Sequence, residues 1–129
     1  MPYEEALTHS RTTFVAGADL TTKQYYAVST ESGGTIVVST AAKAIDGILQ
    51  DNPNTGEAGS VARSGKTKAA ITASQTLTAG VTLLEVAAGG TLSVLAAGTA
   101  VAKALESLTS VAAVRFITVE LLPGNAAFA

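Results

Sequence analysis

Cysteine and tryptophan are absent from the 129 residues, and histidine occurs only once. Without cysteine the chain can form neither a disulfide nor a thiolate metal site, and a single histidine excludes the histidine clusters of most zinc sites. Charged residues make up 14% of the chain, against roughly 25% in ordinary globular proteins. The net charge of −2 excludes a strongly basic protein. The sequence therefore predicts no metal, no cofactor and no nucleic-acid partner.

Uninterrupted apolar runs long enough to cross a membrane are also missing. Residues 86–102 carry no charge, but this segment of 17 residues is interrupted by glycine, serine and threonine. A spanning helix needs about 20 predominantly apolar residues. Two buried strands joined by a turn at Gly89 and Gly90 explain the segment better. We therefore predict no membrane partner.

Small side chains dominate what is present, since alanine and threonine supply 43 of the 129 residues. Each buries little apolar area, so a core made of them is thin. The length suits one domain with a modest core. An oligomer would help to stabilise such a domain.

Short segments rich in valine, isoleucine, threonine and tyrosine alternate with turn signals, as in a sandwich or barrel. Residues 25–30 and 35–40 flank the turn at 31–34 and predict a hairpin. Intrinsic propensity favours a helix over residues 100–108, while the family resemblance described below favours a strand, to which we give preference. The further predicted strands are residues 45–50, 59–64, 67–73, 81–87, 91–95 and 115–122.

The predicted architecture is all-β: a small single-domain β-barrel or β-sandwich over residues 14–129, preceded by an extended N-terminal arm over residues 1–13. In the last strand, alternation puts Ile117, Val119 and Leu121 on one face, and Phe116 on the other with Thr118, Glu120 and Leu122. Four residues have predicted structural roles in turns or close backbone approaches, and these are Gly47, Pro53, Gly56 and Gly65.

Two segments resemble chemical motifs without meeting their requirements. The run from Ser64 to Thr67 lacks the first glycine of a phosphate-binding loop, and the residues after it predict a strand where that loop requires a helix. Residues 51–57 resemble the start of a calcium loop, but Pro53 stands at a ligand position and Ala62 replaces the bidentate glutamate. His9 on the arm has no rigid frame for a hydrolytic triad. The sequence therefore predicts that the protein is not an enzyme.

Aromatic and basic residues in or beside the arm are the candidates for contact with a partner. Tyr3, Arg11 and Phe14 form this set, because aromatic and arginine side chains dominate interface hot spots. For Phe14 there is an alternative, in which it opens the first strand and packs in the core of its own domain.

The order of several motifs resembles the small capsid decoration, or cement, proteins of tailed bacteriophages. Residues 16–20 (AGADL) match an A-G-x-D-[LI] segment of that family, residues 47–57 (GILQDNPNTGE) match G-[IV]-[LA]-Q-x-x-P-x-x-G-[ED], and residues 65–68 (GKTK) match G-x-[TA]-K. The resemblance runs from about Phe14 to Leu122. Two departures lie in its second half: residues 85–91 replace a compact D-x-x-G-[RK] segment, and residues 100–114 are longer than usual.

The resemblance implies a β-barrel-like protein of the virion that lies on the outer capsid surface after passing through the host cytoplasm. It implies the major capsid protein as the partner, and a homotrimer near local threefold positions that bridges capsid subunits without catalysis. Two alternatives remain open at this stage. One is a phage tail or fibre structural module, and the other is a soluble ligand-binding β domain.

Overall fold

A computed structural model describes residues 11–31, 33–40, 45–96, 98–109 and 113–122. Within these residues the chain forms short strands and one 3₁₀ turn, Ala88–Gly90. The strands are β1 (Arg11–Val15), β2 (Ala27–Thr30), β3 (Ile36–Val38), β4 (Gly47–Leu49), β5 (Ala58–Ala62), β6 (Gly65–Ile71), β7 (Leu83–Val86), β8 (Leu92–Val94), β9 (Ala102–Ala104) and β10 (Arg115–Leu121).

The strands form a five-stranded sheet and a closed five-stranded barrel. The sheet has the antiparallel order β1-β5-β4-β2-β3, and the barrel has the order β10-β6-β8-β7-β9. Only the contact between β6 and β8, at Ile71 and Leu92, is parallel among the described strand pairs. The first half of the chain thus builds the sheet, and the second half builds the barrel. This arrangement confirms the predicted small all-β fold.

The three central strands of the five-stranded sheet, β5, β4 and β2, are buried on both faces. Successive residues of a strand point to opposite faces, and at three places both neighbours are buried: Ala27 and Val28, Ile48 and Leu49, Val61 and Ala62. In each pair, one residue joins the core shared with the barrel and the other joins a smaller core on the far face. We call these the barrel core and the sheet core. The sheet core consists of Ala16, Leu20, Val28, Ile36, Leu49 and Val61.

The observed strands agree with most of the predicted ones. β2 and β3 pair as the predicted hairpin, with Val28 opposite Val38. Residues 102–104 form β9, so the preference for a strand within 100–108 was right and the helix suggested by propensity was wrong. In β10, alternation buries Ile117, Val119 and Leu121 as predicted. Tertiary pairing with β7 and β10 overrides the helical propensity of this alanine-rich segment.

The predicted limit between arm and domain differs from the observed start of the sheet. β1 begins at Arg11 and pairs with β5, placing Arg11 opposite Ala62 and Val15 opposite Ala58. Residues 11–13, predicted as part of the arm, therefore belong to the sheet. Residues 1–10 lie outside the described residues. The polar sequence of residues 11–13 hid the strand, because edge strands need few apolar side chains.

Glycine is required where the barrel meets the sheet. Gly90 ends the 3₁₀ turn with a φ of 89°, a conformation that costs residues with a Cβ about 1–2 kcal/mol. A Cβ at Gly90 would also lie 3.0 Å from the carbonyl oxygen of Ala27 and 3.2 Å from Cβ of Val38. Gly80 has a similar φ of 76°, but a Cβ there would meet no atom within 4 Å.

Replacing Gly90 should therefore cost more stability than replacing Gly80. We expect Gly90→Ala to lower the free energy of unfolding by about 3 kcal/mol, combining backbone strain with overpacking. Gly80→Ala should cost about 1 kcal/mol, from strain alone. Denaturant unfolding of both variants measures the difference. Equal losses would show that the contact of the turn with β2 and β3 contributes nothing.

A carboxylate fixes the loop after β9 to the last strand. Glu106 Oε2 accepts a hydrogen bond from the backbone N–H of Thr118 at 2.8 Å. Hydrogen bonding from Thr118 lowers the pKa of Glu106 from its usual value of 4.5, and the charge of Lys68 adds to this effect. The ionised carboxylate therefore stabilises the fold above pH 4.5, and this contribution disappears as the pH falls through the lowered pKa.

Glu106→Gln should remove this pH dependence, because an amide can accept the Thr118 hydrogen bond but does not ionise. We expect the wild-type protein to have a higher Tm than the variant at pH 7, because the ionised carboxylate is the stronger acceptor. The difference should be small, because the carboxylate is exposed. The difference should shrink as the pH falls below 4.5. Thermal unfolding of both proteins between pH 7 and pH 3 measures it. A Tm difference that is the same at all pH values would contradict a stabilising role for the ionised carboxylate of Glu106.

Candidate binding surfaces

The described residues offer no group of three or more histidine, cysteine, aspartate or glutamate side chains that could hold a metal ion. No helix in this part of the chain has the length and hydropathy to cross a membrane. Grooves and exposed apolar surfaces are the candidate binding sites of this part of the chain.

The segments that resemble chemical motifs form ordinary turns and strands. Gly65 begins β6 with a φ of 83°, and Lys66 and Lys68 are both exposed on the outside of the barrel. In the turn at residues 51–57, Glu57 Oε1 accepts the backbone N–H of Asn54 at 2.8 Å. Asp51 accepts the N–H of Ser60 at 3.1 Å. The acidic side chains of this turn thus bond to the backbone of the turn itself and of the neighbouring strand β5.

The residues predicted to shape turns and close approaches lie at such places. A Cβ at Gly47 would collide with the backbone carbonyl of Ala62, so a close backbone approach explains this glycine. Pro53 is buried, and its carbonyl accepts the N–H of Leu20 at 3.0 Å. Gly56 has a φ of 84°, which residues with a Cβ seldom adopt.

The three predicted contact residues differ in position. Tyr3 lies outside the described residues, and Arg11 begins β1 at the edge of the sheet. Phe14 is partly buried and packs against the sheet core. For Phe14 the structure therefore shows the alternative arrangement, in which it packs within its own domain.

A groove of about 350 Å³ lies where the sheet half of the chain meets the barrel. Two aromatic rings, Tyr25 and Phe116, form part of its wall, with centroids 5.9 Å apart and planes inclined at 68°. The polar part of the wall comes from Thr21, Thr22, Gln24, Asn52 and Lys68. We call this site the aromatic groove.

The backbone of Tyr25 fixes one wall of the aromatic groove. Its N–H donates to the carbonyl of Leu49 at 2.7 Å, and its carbonyl accepts the N–H of Ala70 at 2.9 Å. One bond reaches the sheet and the other reaches the barrel. Tyr25 has a φ of 71°, an unusual conformation for a non-glycine residue, and such outliers often mark functional sites.

Phe116 projects from the outer face of β10 and is 51% exposed. It stands opposite Ala70 in β6, next to the pair formed by Thr118 and Lys68. Alternation along this strand predicted that Phe116 lies on the face opposite Ile117, Val119 and Leu121. That position indicated an aromatic side chain exposed on the surface. Nothing in the sequence linked it to Tyr25, 91 positions earlier, because their contact depends on how the sheet docks on the barrel.

Some polar side chains around the aromatic groove form hydrogen bonds within the protein, and others do not. Gln24 Nε2 donates to the carbonyl of Gln50 at 2.9 Å, and the hydroxyl of Thr21 donates to Asp19 at 2.7 Å. The hydrogen bonds from Thr21 lower the pKa of Asp19. The side chains of Asn52 and Lys68 make no hydrogen bond or ion pair with the described residues, so both can bond to a ligand.

A second surface is apolar and lies at one end of the barrel, where β7 begins and β8 ends. Val81, Leu83 and Val94 are 71%, 38% and 40% exposed. The N–H of Leu95 bonds to the carbonyl of Leu83 at 2.9 Å, which holds these two chain segments together. We call this surface the barrel rim. Residues 76–84 and 92–96, which build it, contain no charged residue.

No family model and no curated protein matches the chain. Among solved structures, it is similar to the crystal structure of the head fiber gp8.5 N base of bacteriophage phi29. The TM-score is 0.66 at 14% sequence identity, and the alignment covers 87% of this chain and 92% of that chain. Likeness at this level of identity establishes a shared fold. The sheet and barrel described above thus form a fold that also occurs at the base of a phage head fiber.

Proposed function

We propose that the chain is a non-enzymatic structural protein of a phage virion, which binds the outer surface of the expanded capsid and stabilises it by bridging neighbouring major capsid subunits. The observation that carries this proposal is the fold, shared over most of both chains with a domain named as the base of a phage head fiber. The motif order that resembles capsid decoration proteins leads independently to the outside of a phage head.

The physical character of the chain supports a role in assembly. The barrel rim is apolar and uncharged, and depletion of charge is typical of the centre of a protein interface. Small side chains, including eight buried alanines among the described residues, limit what the core of one copy contributes to stability. We propose a homotrimer near the local threefold positions, since association would bury the remaining apolar surface. Many copies on one lattice then add avidity.

A second candidate function follows from the name of the similar structure. That domain is the base of a head fiber, so this chain could anchor a projecting fiber to the capsid instead of bridging its subunits. Both functions require binding to the head. They differ in outcome, because a cement protein raises the stability of the shell whereas an anchor need not.

Binding to capsids tests the proposal directly. Purified protein is mixed with expanded, undecorated capsids of the virus whose genome encodes it, sedimented, and imaged on the particles. We expect saturable binding at a fixed copy number per shell, density that spans neighbouring capsid subunits, and thermal rupture at a higher temperature. Binding without a change in rupture temperature would favour the fiber anchor. No binding to expanded shells would overturn both functions.

Residues 1–10 of the N-terminal arm and the start of β1 are proposed as contacts with the capsid, through Tyr3 and Arg11 respectively. Deleting residues 1–10 leaves β1 and its pairing with β5 intact, so the Tm should change little. We expect capsid affinity to fall about tenfold or more, a loss of about 1.4 kcal/mol. Replacing residues 1–10 by a Gly/Ser segment of equal length is the matched control and should weaken binding similarly. Unchanged affinity in both variants would exclude the arm as a contact, and Arg11→Ala then tests the start of β1 separately.

A further inference from the structure

The aromatic groove has the chemical composition of a site for a small polar ligand with one apolar face. Its volume of about 350 Å³ lies within the range of roughly 300–1,000 Å³ that is typical of small-molecule sites. Two rings supply apolar surface, while two amides, two threonine hydroxyls and one ammonium group supply hydrogen bonds. Of the seven side chains, only Lys68 carries a charge.

The rings are placed to receive a flat apolar face. Phe116 leaves about half of its surface exposed, and the edge-to-face contact with Tyr25 uses only part of each ring. The two backbone hydrogen bonds of Tyr25 fix its position relative to both sheets. A pyranose presents C–H groups on its faces, and these pack against the negative face of an aromatic ring.

The polar wall suits the hydroxyl groups at the edge of such a ligand. Asn52 is exposed and makes no bond with the described residues, so its amide offers a donor and an acceptor together. Two neighbouring hydroxyl groups of such a ligand need a donor and an acceptor side by side. Gln24 uses Nε2 for the carbonyl of Gln50, and its oxygen is left as an acceptor. Lys68 adds a donor on the barrel side of the groove.

An acidic ligand fits the groove less well. Lys68 is the cation among the described lining residues, and its charge already interacts with the carboxylate of Glu106. Asp19 lies beside the groove, bonded to Thr21. A ligand carboxylate would thus meet one partly compensated cation and a nearby anion. A neutral ligand meets no such repulsion.

We propose that the aromatic groove binds a neutral pyranose, stacked on Phe116 and hydrogen-bonded by Asn52, Gln24 and Lys68. This function goes beyond attachment to a capsid. Binding at one such shallow site is weak, and many copies on one particle would convert it into adhesion to a saccharide-covered surface. The groove and the proposed capsid contact at the arm use different residues.

NMR titration of the full chain tests the proposal, with glucose, galactose, mannose and N-acetylglucosamine as separate probes. Concentrations up to about 100 mM cover the millimolar affinity expected of a site of this size. We expect saturable shifts of the side-chain amides of Asn52 and Gln24, and of the backbone amides of Tyr25 and Phe116, for at least one sugar. No saturable shift at these groups with any of the four would overturn the proposal.

Variants assign the effect to the groove. Phe116→Ala should raise the Kd at least tenfold, whereas Val81→Ala at the barrel rim removes another exposed side chain and should leave it unchanged. Asn52→Ala should also raise the Kd at least tenfold, and it gives an independent test if Phe116→Ala proves unstable. Equal affinities in all variants would overturn the assignment to this groove.

Two further measurements separate this proposal from other occupants. Saturable shifts at the groove with a glutamate-rich peptide, and none with the sugars, would show that the groove binds acidic chains and would overturn the proposal. If Phe116→Ala abolished capsid binding and the wild type bound no sugar, the groove would be a capsid contact. If the wild type bound a sugar at the groove but did not bind capsids, the proposed function would be wrong and this inference would still stand.

Discussion

The junction between sheet and barrel rests on the backbone of Tyr25. Its N–H bonds to β4 and its carbonyl bonds to β6, so one residue connects both parts. The side chain of Gln50 adds a second link nearby, from Nε2 to the hydroxyl of Thr67 at 2.8 Å. A tyrosine with positive φ persists only where the surroundings hold it. These bonds also set the spacing between the rings of Tyr25 and Phe116, so the shape of the aromatic groove depends on them.

Burial of the central strands of the sheet on both faces explains how so many small residues give a defined fold. Alanine offers little area, but Ala27 and Ala62 are almost completely buried in the barrel core while their neighbours Val28 and Val61 fill the sheet core. The central strands β2, β4 and β5 therefore each contribute to two cores. Close packing limits what can change at the contact points. At Gly47 the backbone of Ala62 leaves no room for a methyl group, and at Gly90 a methyl group would crowd the carbonyl oxygen of Ala27 and the side chain of Val38.

Local sequence predicted the strands better than their pairing. The hairpin of β2 and β3 and the two faces of β10 follow from alternation and turn residues, which act over a few positions. Closure of the barrel depends on contacts such as Ile71 with Leu92, and these are settled by packing. The start of β1 was missed because its polar residues at 11–13 follow no apolar pattern. The aromatic groove could not be predicted as a site, since Tyr25, Asn52, Lys68 and Phe116 come from four separate parts of the chain.

The positions of β1 and β10 give the domain an asymmetric response to mechanical force. β10 lies between β6 and β9 and forms a seven-residue ladder with β6. A pull applied beyond Leu121 along this strand would load two ladders in shear at once. β1 lies at the edge of the sheet, and its five residues are laddered only to β5 among the described strands. The force needed to detach β1 is therefore smaller than the force needed to extract β10. The domain thus withstands mechanical tension better when it is applied after β10.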